Sequence, residues 1–588
     1  MHHRSRSVLF ASVRPGLLLF VFLSACPLGL VACGDAQAPP PTTTLPDPAE
    51  SVGDEGPPRL GGKADSGNAA LAYAQLPAGA GFDAPLTALF APDDPVVTLE
   101  LHLIDEVRSA RRADSHDFAE GDNPYAIRYA VYNLRNPDLV KALGDAEQDG
   151  VDVQILIESD QLDPALDYNT SDEALVARGF ELVTDHRTLD ATTRKTADLI
   201  GIRGSGLMHL KTRAFSTPEG TRVLSGSMNP GDNAIFNEET LHLINDPKLT
   251  GRYLANFEAV RDGRGAANVW AADAAVNVLF TPAASGPRAS TKLLTWLAEE
   301  QEQILLMVFS LREVSGPEVD ESLLEVLVRK AQAGVPVYVI TDRKQSDGVD
   351  IDGKPQYRND KTEDVLRAGG VHVYEAINAT TPFTAMHHKV GILGRSRVRV
   401  ITDAANWTFA GLGSATGKAK NNESVLFIDS AALDGGKTGA RYLRQWLRVA
   451  ERYMAWSAQH DGEPGYEEVS SRLLEAPNWP TVPVSFEVEA DFTQLGDEVA
   501  VRGGLDALSR WGQSNPGVPL KTDADTFPFW RSAEPVELPL GARFAWKAVV
   551  LRGDGGVTWE KGANWTAEAS PGPLEDTAAT VRRASFRR

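Results

Sequence analysis

FTAMHHKVGIL, residues 383–393, sets two histidines and a lysine inside an otherwise apolar run. The run is short, apolar and closed by Gly394, the pattern of a strand. Side chains on a strand alternate faces, so His387 and Lys389 share one face and His388 points to the other. The same pair stands earlier in GLMHLKTRAF, residues 206–215, as His209 and Lys211 with Leu210 between them. His388 takes the place of Leu210, which predicts a packing or supporting role for it. After His209 come LSGSMNP, with Asn229 twenty residues on, and then FNEE. After His387 come ITDAANWT, with Asn406 nineteen residues on, and then NNES. Each copy supplies His, Lys, Asn and Glu in the same order. Glu238 is favoured over the adjacent Glu239, because FNE aligns with the NNE that ends at Glu423.

The repeat extends upstream. Residues 126–159 and 303–342 each read as an apolar strand, a helix of period near 3.6, a Gly-Val turn and a β-branched strand. Such a strand–helix–strand unit is expected to be parallel and right-handed. The copies lie about 180 residues apart, too far for a solenoid and suited to a duplicated domain.

Histidine serves as nucleophile or general acid near neutral pH. Lysine is a point charge for phosphate, and an asparagine amide donates to an anionic oxygen. Two such sets brought together place two histidines about one anion, one to attack in line and one to protonate the leaving oxygen. A glutamate from each half is expected on the rear nitrogen of the histidine in the other set, fixing its tautomer. No metal or other cofactor is called for.

This arrangement resembles the phospholipase D superfamily, with its His-x-Lys-x4-Asp, Gly-Ser-x-Asn and glutamate, over roughly residues 70–460. The resemblance implies a duplicated α/β core of mixed sheets flanked by helices, two halves about a pseudo-twofold axis with one site between them. It implies catalytic roles for His209, Lys211, Asn229, Glu238, His387, Lys389, Asn406 and Glu423, and phosphate binding by Ser227. His209 would be the nucleophile that carries a phosphohistidine, and His387 the general acid. Four residues depart from the pattern. Ser216 and Gly394 replace the motif aspartate, and Asp403-Ala404 replaces the second Gly-Ser, which removes a serine donor and adds a charge. A non-catalytic glucan-binding protein with a degenerate core is the competing reading. His116, His186, His242, His372 and His460 have no repeat partner and read as surface or core residues.

The chain has 588 residues, 42% of them hydrophobic, enough for several cores. Its net charge of −22 argues against a surface that grips nucleic acid phosphates. The N-terminus is basic, then apolar, and holds the only two cysteines, Cys26 and Cys33. Both stand in stretches that resemble a bacterial lipoprotein box, and Cys33 is favoured because polar sequence follows it directly. That resemblance implies export and a lipid anchor in the bacterial envelope.

The expected organisation is a signal peptide (1–33), a Pro/Gly-rich tether (34–70), the first half (71–275) and the second half (276–462). A linker (463–480), an all-β sandwich (481–575) and a tail (576–588) follow. The sandwich resembles the family-20 starch-binding module through VSFEVEADFTQLGDEVAVRGG, SRWG, FPFWRSAEPVELPLGARFAWKA and VTWEKGAN. It implies α-glucan binding, with Trp511 and Trp559 as stacking platforms and Lys547, Glu560 and Asn564 as hydrogen-bonding partners. Trp530 and Trp546 match structural positions, and Ser509-Arg510 replaces the Leu-Gly before the first platform. The substrate class implied for the core is a phosphodiester, with phospholipid the default.

Overall fold

The two strand–helix–strand units fold as their patterns predict. In the first, Ala126–Val131 pairs in parallel with Asp152–Glu158 across the helix Pro137–Gln148. In the second, Ile304–Val308 pairs in parallel with Val337–Asp342 across Leu323–Gln332. Both helices start at a side-chain cap: Asn136 accepts from the N–H groups of Asp138 and Leu139, and Ser322 forms a capping box with Glu325. Both end at a left-handed glycine, Gly150 with φ 80° and Gly334 with φ 84°. These are the glycines of the two Gly-Val turns, at a conformation other residues adopt only under strain.

This computed structural model describes residues 71–76, 82–118, 122–163, 169–190, 192–232, 234–346, 361–377, 385–513, 515–570 and 580–588. The expected signal peptide, Cys26, Cys33 and the tether lie outside the described residues. All of these segments belong to one unit, Pro46–Arg588.

Each unit is the middle of a larger mixed sheet. The first sheet runs Leu86–Ala91, Glu239–Ile244, Gly220–Gly226, Lys211–Thr217, Ala126–Val131, Asp152–Glu158, Leu199–Ile202, Leu182–Val183. The second runs Val276–Thr281, Glu423–Asp429, Arg399–Asp403, Lys389–Leu393, Ile304–Val308, Val337–Asp342, His372–Ala376. Position for position the orders are the same, apart from one extra edge strand in the first. The registers agree as well: Ala91 lies opposite Glu239, and Thr281 opposite Glu423. One apolar core runs across the seam between the sheets and includes Met208, Val223, Phe280, Met386, Val400 and Leu426. The helix Lys437–His460 closes it, burying Tyr442, Leu443, Trp446, Val449, Ala450 and Met454.

The C-terminal domain is all-β. Its central strand, Thr481–Glu489, pairs first with Val536–Pro539 and then with Phe529–Ser532. Two boundaries differ from expectation. The stretch expected as a linker holds the helix Tyr466–Leu474, with Val469 and Leu473 buried, and Trp479, whose indole N–H donates to the carbonyl of Leu540 at 2.9 Å. The stretch expected as a tail returns as the strand Thr580–Ser585, parallel to residues 484–489. Its arginines hide the alternation in the sequence. Ala584 and Phe586 pack on the core, while Arg583 meets Glu487 at 3.1 Å and Arg588 meets Asp491 at 2.6 Å.

Candidate active site and glucan site

Both His-x-Lys pairs sit where a strand begins. Lys211 opens Lys211–Thr217 and Lys389 opens Lys389–Leu393, so each histidine lies just ahead of its sheet, at the seam. There the backbones of the two halves join. Met208 bridges to Asn422, and Met386 to Glu238. The N–H of His209 donates to the carbonyl of Asn422 at 3.0 Å, and that of His387 to the carbonyl of Glu238 at 3.0 Å.

The side chains cross the same seam. His209 Nδ1 lies 2.8 and 2.9 Å from the carboxylate oxygens of Glu423, and His387 Nδ1 lies 2.8 and 2.9 Å from those of Glu239. Each half therefore holds the other half's imidazole by its rear nitrogen. A strand-end aromatic packs edge-on against each ring. Tyr132 lies 5.5 Å from His209 and Phe309 4.6 Å from His387. Each lysine lies over the same aromatic, Lys211 at 5.6 Å and Lys389 at 4.9 Å, and donates to the carbonyl of its own histidine. Lys389 Nζ is also 2.6 Å from His387 Nε2. Asn229 and Asn406 are buried and occupy equivalent places after the strands Gly220–Gly226 and Arg399–Asp403.

Two expectations are corrected. Glu238 does not hold His387. Its carboxylate accepts from Arg452 at 2.8 and 2.9 Å and from Tyr453 at 3.2 Å, and burial pushes it up to about 7. The equivalent of Glu423 is Glu239, one residue on. In both halves an asparagine two residues earlier, Asn237 or Asn421, donates to that glutamate. Asn-x-Glu, rather than Asn-Glu, is the aligned pattern, and Asn237 was the available signal. Ser227, expected on phosphate, instead donates to Glu239 at 2.5 Å. Tyr132 and Phe309 also escaped the sequence reading, although each follows the first strand of its unit.

His388 has the supporting role expected of it. It is fully buried, its Nδ1 lies 2.7 Å from Thr240 Oγ1, and burial holds its pKa well below the ordinary value. His116, His186, His242, His372 and His460 do not bond to the two pairs. His242, for example, is buried with its Nε2 2.5 Å from the Tyr442 hydroxyl.

In the C-terminal domain Trp511 and Trp559 lie 6.4 Å apart, inclined at 43°. Trp559 is 39% exposed, whereas Trp530 and Trp546 are buried. Lys547 is half-buried and donates to the carbonyls of Glu560 and Gly562. Asn564 is exposed. Glu560, expected to meet glucan, is instead 1% exposed. It accepts from the Ala548 N–H, the Trp565 indole and Arg587. Next to an outward Trp559, strand alternation turns it inward.

The family model "Cardiolipin synthase, PLD-like domain" matches residues 123–261 and 293–445, and "Starch binding domain" matches residues 481–573. The core is phospholipase D-like, and the C-terminal domain is a starch-binding domain. An alpha-amylase of Streptomyces violaceus is 40% identical over 83 residues, 14% of each chain. A glucan 1,4-alpha-maltotetraohydrolase of Stutzerimonas stutzeri is 33% identical over 107 residues, 17% of this chain and 18% of that one. The chain thus spans less than a fifth of the length of these relatives. Among solved structures, a phospholipase D family member from Salmonella typhimurium is 19% identical. The match covers 30% of this chain and 95% of that one, with a TM-score of 0.22. The family-20 module of a maltotetraose-forming amylase from Pseudomonas saccharophila is 27% identical. That match covers 18% of this chain and all of the other, with a TM-score of 0.15.

The departures of the phospholipase D-like core have structural accounts. Ser216 and Gly394 lie five residues beyond the lysines, about 16 Å along the strand. Ser216 bonds to Thr221 at 2.9 Å. Gly394 turns with φ 81°, and a Cβ there would lie 2.8 Å from the Arg397 carbonyl oxygen. Ala404 aligns with Ser227 and so lacks the hydroxyl that Ser227 gives Glu239. Asp403 aligns with Gly226 and, unlike that glycine, has a positive φ, 108°. Its carboxylate is pinned across the seam by Ser225 at 2.8 and 3.1 Å and Tyr253 at 2.7 Å. In the C-terminal domain, Ser509, Arg510 and Trp511, around the changed dipeptide, all have positive φ.

Burial raises Asp403 to about 6. A carboxyl raised above its unfolded value contributes stability in acid that is lost as pH rises through the folded value, here between about pH 4 and 6. Asp403→Asn does not ionise. Its unfolding free energy should gain on wild type by up to about 3 kcal/mol across that interval in denaturant titrations. Parallel stability curves would show that Asp403 ionises in the fold as freely as in the unfolded chain.

Proposed function

We propose that the protein is an exported phosphodiesterase of the phospholipase D type that works through a phosphohistidine while its C-terminal domain binds α-glucan. The observation that carries this reading is the crossed pairing of His209 with Glu423 and His387 with Glu239. With Nδ1–H donated to Glu423, His209 presents an Nε2 lone pair. That nitrogen attacks phosphorus, and the bond from phosphorus to the leaving oxygen breaks. His387, once its Nε2 is released from Lys389 and protonated, passes that proton to the leaving oxygen. Water then gives its proton back to His387 and attacks phosphorus, and the P–N electron pair returns to His209. Glu239 stabilises the imidazolium that His387 forms in each cycle. Lys211, Lys389, Asn229 and Asn406 bear the charge on the equatorial oxygens. Phospholipid is the proposed substrate, favoured by a lipid anchor at Cys33 that keeps the enzyme at the envelope; nucleic acid is disfavoured by the charge of −22.

Rapid quenching of a reaction with bis-p-nitrophenyl phosphate should trap a phospho-enzyme, and His209→Ala should abolish it. His387→Ala should slow turnover least for substrates whose leaving group needs no proton. Full turnover by either variant contradicts these roles. No turnover on a panel of phosphodiesters, with starch binding intact, supports the degenerate-core reading.

Trp559 and Trp511 are proposed as the stacking platforms. Truncating a central aromatic anchor typically costs about 2 kcal/mol, or about thirtyfold in affinity. Trp559→Ala in the full chain should lose granular starch in a pull-down without a change in thermal unfolding. Retention on starch equal to wild type would remove Trp559 from the site.

A further inference from the structure

Each strand–helix–strand unit ends in a carboxylate that the constellation of His, Lys, Asn and Glu does not include. Glu158 closes Asp152–Glu158, and Asp342 closes Val337–Asp342. Both are 4% exposed. Glu158 Oε2 accepts the N–H of Met208 at 2.6 Å, and Asp342 Oδ2 accepts the N–H of Met386 at 3.3 Å. These two methionines immediately precede His209 and His387, and they form the backbone bridges to the opposite half. The other carboxylate oxygen is held locally in both cases. Glu158 Oε1 takes the Ser159 hydroxyl at 3.3 Å and the Asp160 N–H at 3.5 Å, and Asp342 Oδ1 takes the Lys344 N–H at 3.0 Å.

A buried carboxylate is costly unless hydrogen-bonded, and an N–H donated to a charged oxygen is stronger and shorter than one donated to a carbonyl. The end of a parallel strand needs no such group to fold. Yet the same contact recurs at both pseudo-symmetric positions, through a glutamate in one half and an aspartate in the other. In both halves the contact falls on the peptide from which a histidine projects.

We infer that Glu158 and Asp342 are positioning residues, each fixing the main chain at the root of its histidine while Glu423 or Glu239 fixes the ring. An imidazole anchored at both ends presents Nε2 in a single direction, and reactions at a positioned nucleophile are sensitive to displacements of an ångström or less. The kinetic part of this inference rests on the phosphohistidine reading; the geometric part does not.

The test uses the full chain. Turnover of bis-p-nitrophenyl phosphate is measured beside the side-chain ¹⁵N resonances of the histidines, assigned with His209→Gln and His387→Gln. Glu158→Ala should lower kcat by about tenfold or more with KM within about twofold. It should shift the imidazole resonances of His209 and leave those of His387 in place. Asp342→Ala should do the reverse, with a smaller loss because its bond is longer. Glu158→Gln keeps a carbonyl acceptor in place and should recover most of the loss. A folded Glu158→Ala protein with wild-type kcat and an unmoved His209 resonance overturns the inference, as does a Gln variant as impaired as the Ala variant. If the Ala variant does not fold, Glu158→Asp, which retracts the acceptor, must be slower than Glu158→Gln or the inference fails. An inactive wild type sinks the phosphohistidine reading alone, because the resonances still decide the positioning.

Discussion

Two hydrogen bonds between a histidine and a carboxylate cross the seam between the halves, and the architecture of the core serves to make them. A carboxylate fully enclosed in protein costs several kcal/mol unless it is paired and hydrogen-bonded. Glu423 and Glu239 are both buried, and each faces an imidazole from the opposite sheet. Neither half can satisfy its own histidine. The duplicated sheets, their matched registers and the paired bridges at Met208 and Met386 all place these four side chains.

The seam also sorts the departures from the motif. Three of the four leave the imidazoles alone. Ser216 and Gly394 lie far along their strands, and Asp403 turns its carboxylate to Ser225 and Tyr253. The change that touches the pairing is Ala404, which leaves Glu423 without the hydroxyl that Ser227 gives Glu239. At this one position the two halves differ: Glu239 accepts a serine hydroxyl where the second half has an alanine.

The His-x-Lys pairs, the Asn that follows each and the strand–helix–strand units were legible because duplication made each copy a check on the other. Legibility failed where one residue of register decided the matter. Glu238 and Glu239 are chemically identical neighbours, told apart in the sequence only by the Asn-x-Glu spacing, and the bonds of Glu239 to His387 show which of them turns inward. The same period of two hid the burial of Glu560 beside the exposed Trp559. The strand Thr580–Ser585 was obscured by arginines that pair with acidic residues of its neighbour, since composition there resembles a solvated tail.

The central claim is that each half carries the carboxylate for the other's histidine, with Glu239 and not Glu238 behind His387. Double-mutant cycles on unfolding free energy test it most directly. His387→Gln with Glu239→Gln, and His209→Gln with Glu423→Gln, should each show a coupling of about 1 kcal/mol or more. His387→Gln with Glu238→Gln should show a markedly smaller one. Additive behaviour in the first two cycles, or coupling of His387 to Glu238 in place of Glu239, would contradict the account.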